Sequence, residues 1–219
     1  MQAQLNEIHR RFRLAMNGVV SSSMRSKGMP YKVNFGVSLP QLKQIAAQYQ
    51  PDSALARALW EEDIRESRLL ATFLQPHEGF TKAEALQWAE EADTPELADF
   101  LCMNLLQYLP YAPELADTLI GKEDAQNKRK GYHLSGRLFA KQTPLTSTWL
   151  DDFLRRAAND LSSESRLLSF SVLEALKQAV RNENRAQMVF SFFDTHHPLH
   201  EELQFEYNYY GRRFSDMEE

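Results

Sequence analysis

Cysteine is almost absent from this chain. Of 219 residues only Cys102 carries a thiol, so neither an intrachain disulfide nor an all-cysteine metal site can form, which agrees with a reducing compartment. Glycine is scarce, at eight residues, and the alternating apolar and polar pattern of strands is missing, so no strand is expected. No run approaches the roughly 20 apolar residues of a membrane span, and the opening MQAQLNEIHRRFR lacks the apolar core of a signal peptide. The expectation is a cytoplasmic protein that does not enter a membrane. Excess positive charge, the usual footprint of a nucleic-acid binder, is lacking too: the formal net charge is −5.

What the chain does contain is segregated. Residues 1–51 hold seven Lys/Arg against Glu7 alone and sum to +6, residues 52–124 sum to −11, and residues 125–219 balance. Within the last part Lys128, Arg129, Lys130, Arg137 and Lys141 follow one another without an intervening acid. Two basic patches facing one partner, or two solvated helix faces, fit this pattern equally. Hydrophobic residues at 43% and charged residues at 25% suffice for a sizeable core.

Helical spacing recurs throughout. In SLPQLKQIAAQY, Ser38 is placed to cap a helix whose first turn holds Pro40, and Leu39, Leu42, Ile45, Ala46 and Tyr49 share one face. In TPELADFLCMNLLQYL, Thr94 caps, Pro95 opens, Glu96 suits the helix dipole, and Leu97, Leu101, Leu105 and Tyr108 form a stripe. Further helices are expected to open near Asp52, Thr81, Pro113, Ser147 and Asn184, each followed by a second near Ile64, Thr94, Ala125, Ser163 and His200. Such hairpins, roughly thirty to forty residues apart, have the period of helical solenoids, whose stacked pairs create a concave face. The fold expected is all-α, a HEAT-like helical-repeat solenoid forming a single domain over residues 1–219. An irregular helical bundle fits the same pattern, since the repeats share spacing and not identity.

The segment MPYKVNFGVSLPQLKQIA, residues 29–46, resembles the entry to the first repeat of AlkD-like DNA alkylation repair proteins, in which an aromatic and a lysine precede Phe-Gly-Val and a proline-opened helix. Gly36 there permits a tight turn between Phe35, expected to pack inward, and the capped helix. Residues 58–74, 94–106 and 128–139 resemble, in the same order, helices that line the family's DNA-binding groove. The resemblance runs from about residue 8 to 180. It implies a DNA glycosylase that removes cationic N3- or N7-alkylated purines from double-stranded DNA and needs no metal or nucleotide cofactor; the protein is expected to be a monomer. Asp99 matches the catalytic aspartate, whose charge stabilises an oxocarbenium-like sugar. Arg129 and Lys130 match a basic pair on the phosphate backbone, with Lys128, Arg137, Lys32, Lys27 and Tyr31 beside them as DNA-binding candidates. The family pattern also places a tryptophan four residues before the aspartate and another on a later helix. Here the first position is Pro95, and SSESRLLSFSVLEALKQAV has no tryptophan. The alternative is a non-catalytic HEAT-like scaffold that binds DNA structures or a protein partner.

Other candidates have plainer readings. Cys102 lies inside an apolar helix and reads as a small core residue. His196, His197, His200 and Glu201 have zinc-compatible spacing only if helical, and Pro198 interrupts that helix. Ser21, Ser22 and Ser23 are expected to mark a helix end. The aromatic tail from Phe205 to Phe214, with Arg212 and Arg213, suits either stacking on bases or capping the last repeat.

Overall fold

A computed structural model describes residues 1–29 and 31–211; Arg212, Arg213 and Phe214 of the aromatic tail lie outside the described residues. The architecture is all-α, a repeat of paired helices as expected of a HEAT-like chain, and the only β feature among the described residues is a Val33–Ile64 bridge. The chain forms two compact units, residues 1–109 and 110–219.

The first unit contains α1 (Gln2–Leu14), α2 (Gly18–Ser26), α3 (Leu39–Ala46), α4 (Ser53–Trp60), α5 (Arg65–Leu74), α6 (Lys82–Glu91) and α7 (Pro95–Asn104). The predicted caps are present: Asp52 accepts from Leu55 N, Thr94 from Leu97 N, and Thr81 with Glu84 forms a reciprocal capping box, as Ser38 does with Gln41. The helix after Thr94 is shorter than its stripe suggested. Leu105 leaves helical geometry, a 3-10 turn follows at Leu106–Tyr108, and Tyr108 turns outward to stack on His77 at 5.1 Å.

In this unit α5 packs on α3, α4 and α7. Its start is pinned by a buried ionic chain. Glu66, fully buried, accepts from Phe35 N at 3.0 Å and Val37 N at 3.2 Å. Neighbouring Arg65 donates to Glu66 at 2.9 Å and to Val37 O at 3.1 Å, then grips Glu96 of α7 through two bonds of 2.8 and 2.6 Å. Burial alone would lower the Arg65 pKa, but the Glu96 and Glu66 carboxylates outweigh it and raise it further. Glu66 and Glu96 each occupy the second position of their helices, so each repeat reaches back to the one before it through the same place. Gly36, at φ 69°, makes the turn that Glu66 binds; a Cβ there would stand 2.4 Å from Asn17 O, so no other residue fits.

The second unit contains α8 (Ala112–Ile120), α9 (Ala125–Ala140), α10 (Ser147–Asp160), α11 (Arg166–Val180), α12 (Glu183–Phe192) and α13 (His200–Glu206). Helix α11, expected to open near Ser163, opens after Ser165, because Ser165 is the residue whose hydroxyl accepts from Leu168 N. Tyr132, Phe139, Phe153, Val172, Leu176 and Phe193 fill its core. Gly131 lets α9 meet α8: a Cβ would lie 2.7 Å from Ile120 N. Helices α9 and α11 pack together, with Gly136 of one against Ala175 of the other. Asp160, the last residue of α10 ahead of α11, binds Lys128 at the start of α9, while Arg185, in the first turn of α12 beyond α11, donates to Phe139 O near the end of α9, so α9 and α11 run in the same direction.

The buried chain predicts a stability result. Glu66→Ala strands Arg65 and two backbone N–H groups, and is expected to cost about 3–5 kcal/mol in urea unfolding. Glu78→Ala, on an exposed turn, should stay within about 0.5 kcal/mol.

Candidate nucleic-acid interface

The basic residues of α9 divide according to where the helix turns them. Asp124 caps α9, accepting from Asn127 N at 2.8 Å. Burial opposes its ionisation, yet the Asn127 bonds and the nearby Lys130 hold its carboxyl below the ordinary value. Lys130 is buried, with Nζ 3.2 Å from the Asn127 side chain. Lys128 pairs with Asp160 at 2.6 Å, and the other Asp160 oxygen accepts from Tyr132 OH at 2.8 Å. Burial, then the hydrogen-bonded Asp160 carboxylate, pushes the Tyr132 hydroxyl pKa up. Lys128 and Lys130 thus build the start of α9.

Arg129 and Arg137 are partly exposed. They lie eight residues apart with His133 midway, and positions four apart share a helix face, so the three form a stripe about 12 Å long. His133 was not among the sequence candidates. Its signal was the spacing inside KRKGYHLSGR, legible only once the helical register is fixed. Arg166, exposed at the start of α11, lies at the same end of the unit as Arg129, since the two helices are parallel.

In the first unit Asp99 sits one turn into α7, partly exposed, beside a stripe of buried Leu97, Ala98, Leu101 and Cys102. One turn before it stands Pro95, the first residue of the helix. The helix end is rigidly held, by Arg65 on Glu96 and by Tyr31, whose hydroxyl shares a 2.7 Å hydrogen bond with the capping Thr94. Tyr31 is only 7% exposed. Burial pushes its pKa up to about 12, while the Thr94 bond acts in the opposite direction. Lys32 and Lys27 are exposed, and neither ammonium pairs with a carboxylate among the described residues. The Lys32 backbone N–H donates to Asp63 at 3.4 Å.

The tryptophans serve packing. Trp60 and Trp88 stack at 4.2 Å with planes 1° apart, Arg68 covers Trp60 at 4.8 Å, and the Trp60 indole donates to Glu91 at 2.6 Å. They border a cavity of about 720 Å³ in which carboxylates outnumber Arg57 and Arg68, so its field opposes phosphate. Trp149 stacks on Phe153 at 5.6 Å and donates to Pro113 O. Cys102 is buried. His196 and His197 precede α13, which begins at His200, and among the described residues no three ligating side chains gather. No helix among them is long and apolar enough to cross a membrane.

Comparison with known proteins adds three findings. The family model described as DNA alkylation repair enzyme matches residues 10–207. A solved structure matches with TM-score 0.80 and 14% identity over 94% of this chain and 95% of its own. That protein is described as one of a new family related to the HEAT-like repeat DNA glycosylases with affinity for branched DNA structures; at this identity the likeness is one of fold. No curated protein matches.

The Tyr31 environment gives a test by pH. A pKa raised from 10 to about 12 means that the un-ionised hydroxyl favours the folded state. That contribution is fully present below about pH 10 and is lost as the pH rises towards about 12. Ultraviolet titration should show two tyrosines, Tyr31 and Tyr132, ionising later than the rest, and Tyr31→Phe should remove the earlier of these two late steps.

Proposed function

The chain belongs to the DNA alkylation repair enzyme family, and from that premise we propose that it binds duplex DNA by its phosphate backbone, branched DNA included. The observation that carries this reading is the Arg129–His133–Arg137 stripe on α9. Its members stand about 6 Å apart along one helix face, a spacing suited to successive phosphates of one strand. In the first unit Lys32 and Lys27 offer phosphate contacts of their own. Lys128, Lys130 and Tyr31 contribute from inside, by fixing the starts of α9 and α7. Contacts of this kind give affinity that falls with salt and little base specificity. The affinity for branched DNA described for the structurally similar protein extends the reading beyond linear duplex.

A second reading is base excision, favoured by the rigid placement of Asp99. An N3- or N7-alkylated purine is a cationic leaving group. As the C1′–N bond breaks, the purine departs neutral with the bonding electrons, the sugar takes the positive charge, and water adds at C1′ and releases a proton. Asp99 would stabilise the charged sugar and orient that water. Pro95 offers no aromatic face beside it, in contrast to the tryptophan of the family pattern, so binding is placed before excision.

Arg129→Ala and Arg137→Ala are each expected to reduce the slope of log K against log salt by about 0.9 on linear duplex, the loss of one phosphate contact. Lys130→Ala should instead lower the melting temperature. Single-turnover release of 7-methylguanine and 3-methyladenine from methylated duplex decides the second reading. Release that drops about a hundredfold or more in Asp99→Asn would establish excision; salt-sensitive binding without release would leave binding alone.

A further inference from the structure

The turn between α1 and α2 exposes more apolar surface than a solvated turn requires. Leu14, Met16 and Val19 are 74%, 59% and 82% exposed. Single exposed apolar residues are ordinary, but a group of them at one short turn marks a contact surface.

The turn is held firmly. Asn17 N donates to Phe35 O at 2.9 Å, the Asn17 side chain caps α2 by accepting from Val20 N at 3.1 Å, and Ser21 Oγ donates to Asn34 O at 2.6 Å. Gly36 lies against it so closely that a Cβ would stand 2.7 Å from Ser21 N. The apolar side chains therefore project from a fixed base, and ordering the backbone adds little to the cost of a contact.

Charge identifies the partner. Arg13 adjoins Leu14, while Arg25 and Lys27 stand at the far end of α2, about 10 Å along its axis. All three are exposed, and none pairs with a carboxylate among the described residues. Glu7, the one acid in residues 1–51, is already engaged by Arg10 and Arg11 at 2.8 and 3.0 Å. An apolar tip bracketed by uncommitted cations complements a polyanion with apolar faces between its charges. In an intact duplex those faces are hidden in the stack, and they are uncovered where stacking is interrupted.

We propose that the α1–α2 turn is a wedge for branched or locally opened DNA. Leu14, Met16 and Val19 lie against base faces exposed at the branch point, and Arg13, Arg25 and Lys27 hold the flanking phosphates. This rests on the DNA-binding reading above and adds the element that distinguishes a branch from a continuous duplex.

The test compares a four-way junction with a linear duplex of equal length by fluorescence anisotropy at one salt concentration. A variant combining Leu14→Ser, Met16→Ser and Val19→Ser should bind the junction about tenfold more weakly and the duplex within about twofold of wild type. Arg13→Ala with Arg25→Ala and Lys27→Ala should weaken both. Independently of any substitution, 2-aminopurine at the branch point should change its fluorescence when wild type binds, while the same probe in the middle of an arm should not. Unchanged junction affinity, equal loss on both DNAs, or a silent branch-point probe overturns the wedge and leaves the DNA-binding reading standing. Wild type that binds neither DNA overturns both, as does binding through this turn to phosphatidylglycerol vesicles in place of DNA.

Discussion

In the first unit the ionic chain from Glu66 through Arg65 to Glu96 supports both the base of the α1–α2 tip and the start of α7, the helix that carries Asp99. The Glu66 carboxylate and the Arg65 guanidinium are removed from water at heavy cost, and the Glu96 carboxylate is partly so. The cost is offset because every oxygen and nitrogen they direct inward finds a partner, in the backbone of Phe35 and Val37 or in one another. The bidentate Arg65–Glu96 pair also fixes direction as well as distance, which a single contact between point charges would not. One end of the chain sets the Phe35–Gly36–Val37 turn, and with it the base of the α1–α2 tip. The other end sets the first turn of α7, and with it Asp99. Two surfaces with different proposed uses therefore share one buried support.

The second unit solves a similar problem with different chemistry. Where Arg65 spans repeats in the first unit, Asp160 does so in the second, receiving Lys128 on one oxygen and Tyr132 on the other. The consequence is a division of labour along α9. Lys130 is buried and Lys128 is paired with Asp160 at the helix start, while Arg129, His133 and Arg137 share a partly exposed face.

This division explains what the sequence could and could not reveal. Helix starts were legible because capping is local chemistry: Ser38, Asp52, Thr81 and Thr94 bond N–H groups two or three residues ahead. The end of α7 was not, since the apolar stripe continues to Tyr108 while the backbone departs at Leu105. Nor was the burial of Lys130 and Tyr31, because both depend on groups brought near by folding, Asn127 across one helical turn and Thr94 across 63 residues. His133 escaped for a different reason. Its meaning lies in a spacing shared with Arg129 and Arg137, and residue type alone says nothing of it. For Asp99 the sequence supplied a candidate by resemblance, and the helix adds that the residue stands off the buried stripe on a firmly held element.

A net charge of −5 looks unsuited to a polyanionic ligand, yet net charge is the wrong measure. At physiological ionic strength an exposed charge is felt over about 8 Å, so a phosphate responds to the nearest side chains and not to the sum. Many of the acids are already committed to cations of their own: Glu66 and Glu96 to Arg65, Asp160 to Lys128, Glu202 to Lys177, Glu206 to Arg181. Such pairs cancel locally and project little field. Arg13, Arg25, Lys27 and Lys32, none of them paired with a carboxylate among the described residues, are left to set the potential around the amino-terminal tip. An acidic protein can hold DNA in this way when its acids are spent on folding and its unspent cations are gathered, and the +6 of residues 1–51 shows where that gathering is strongest.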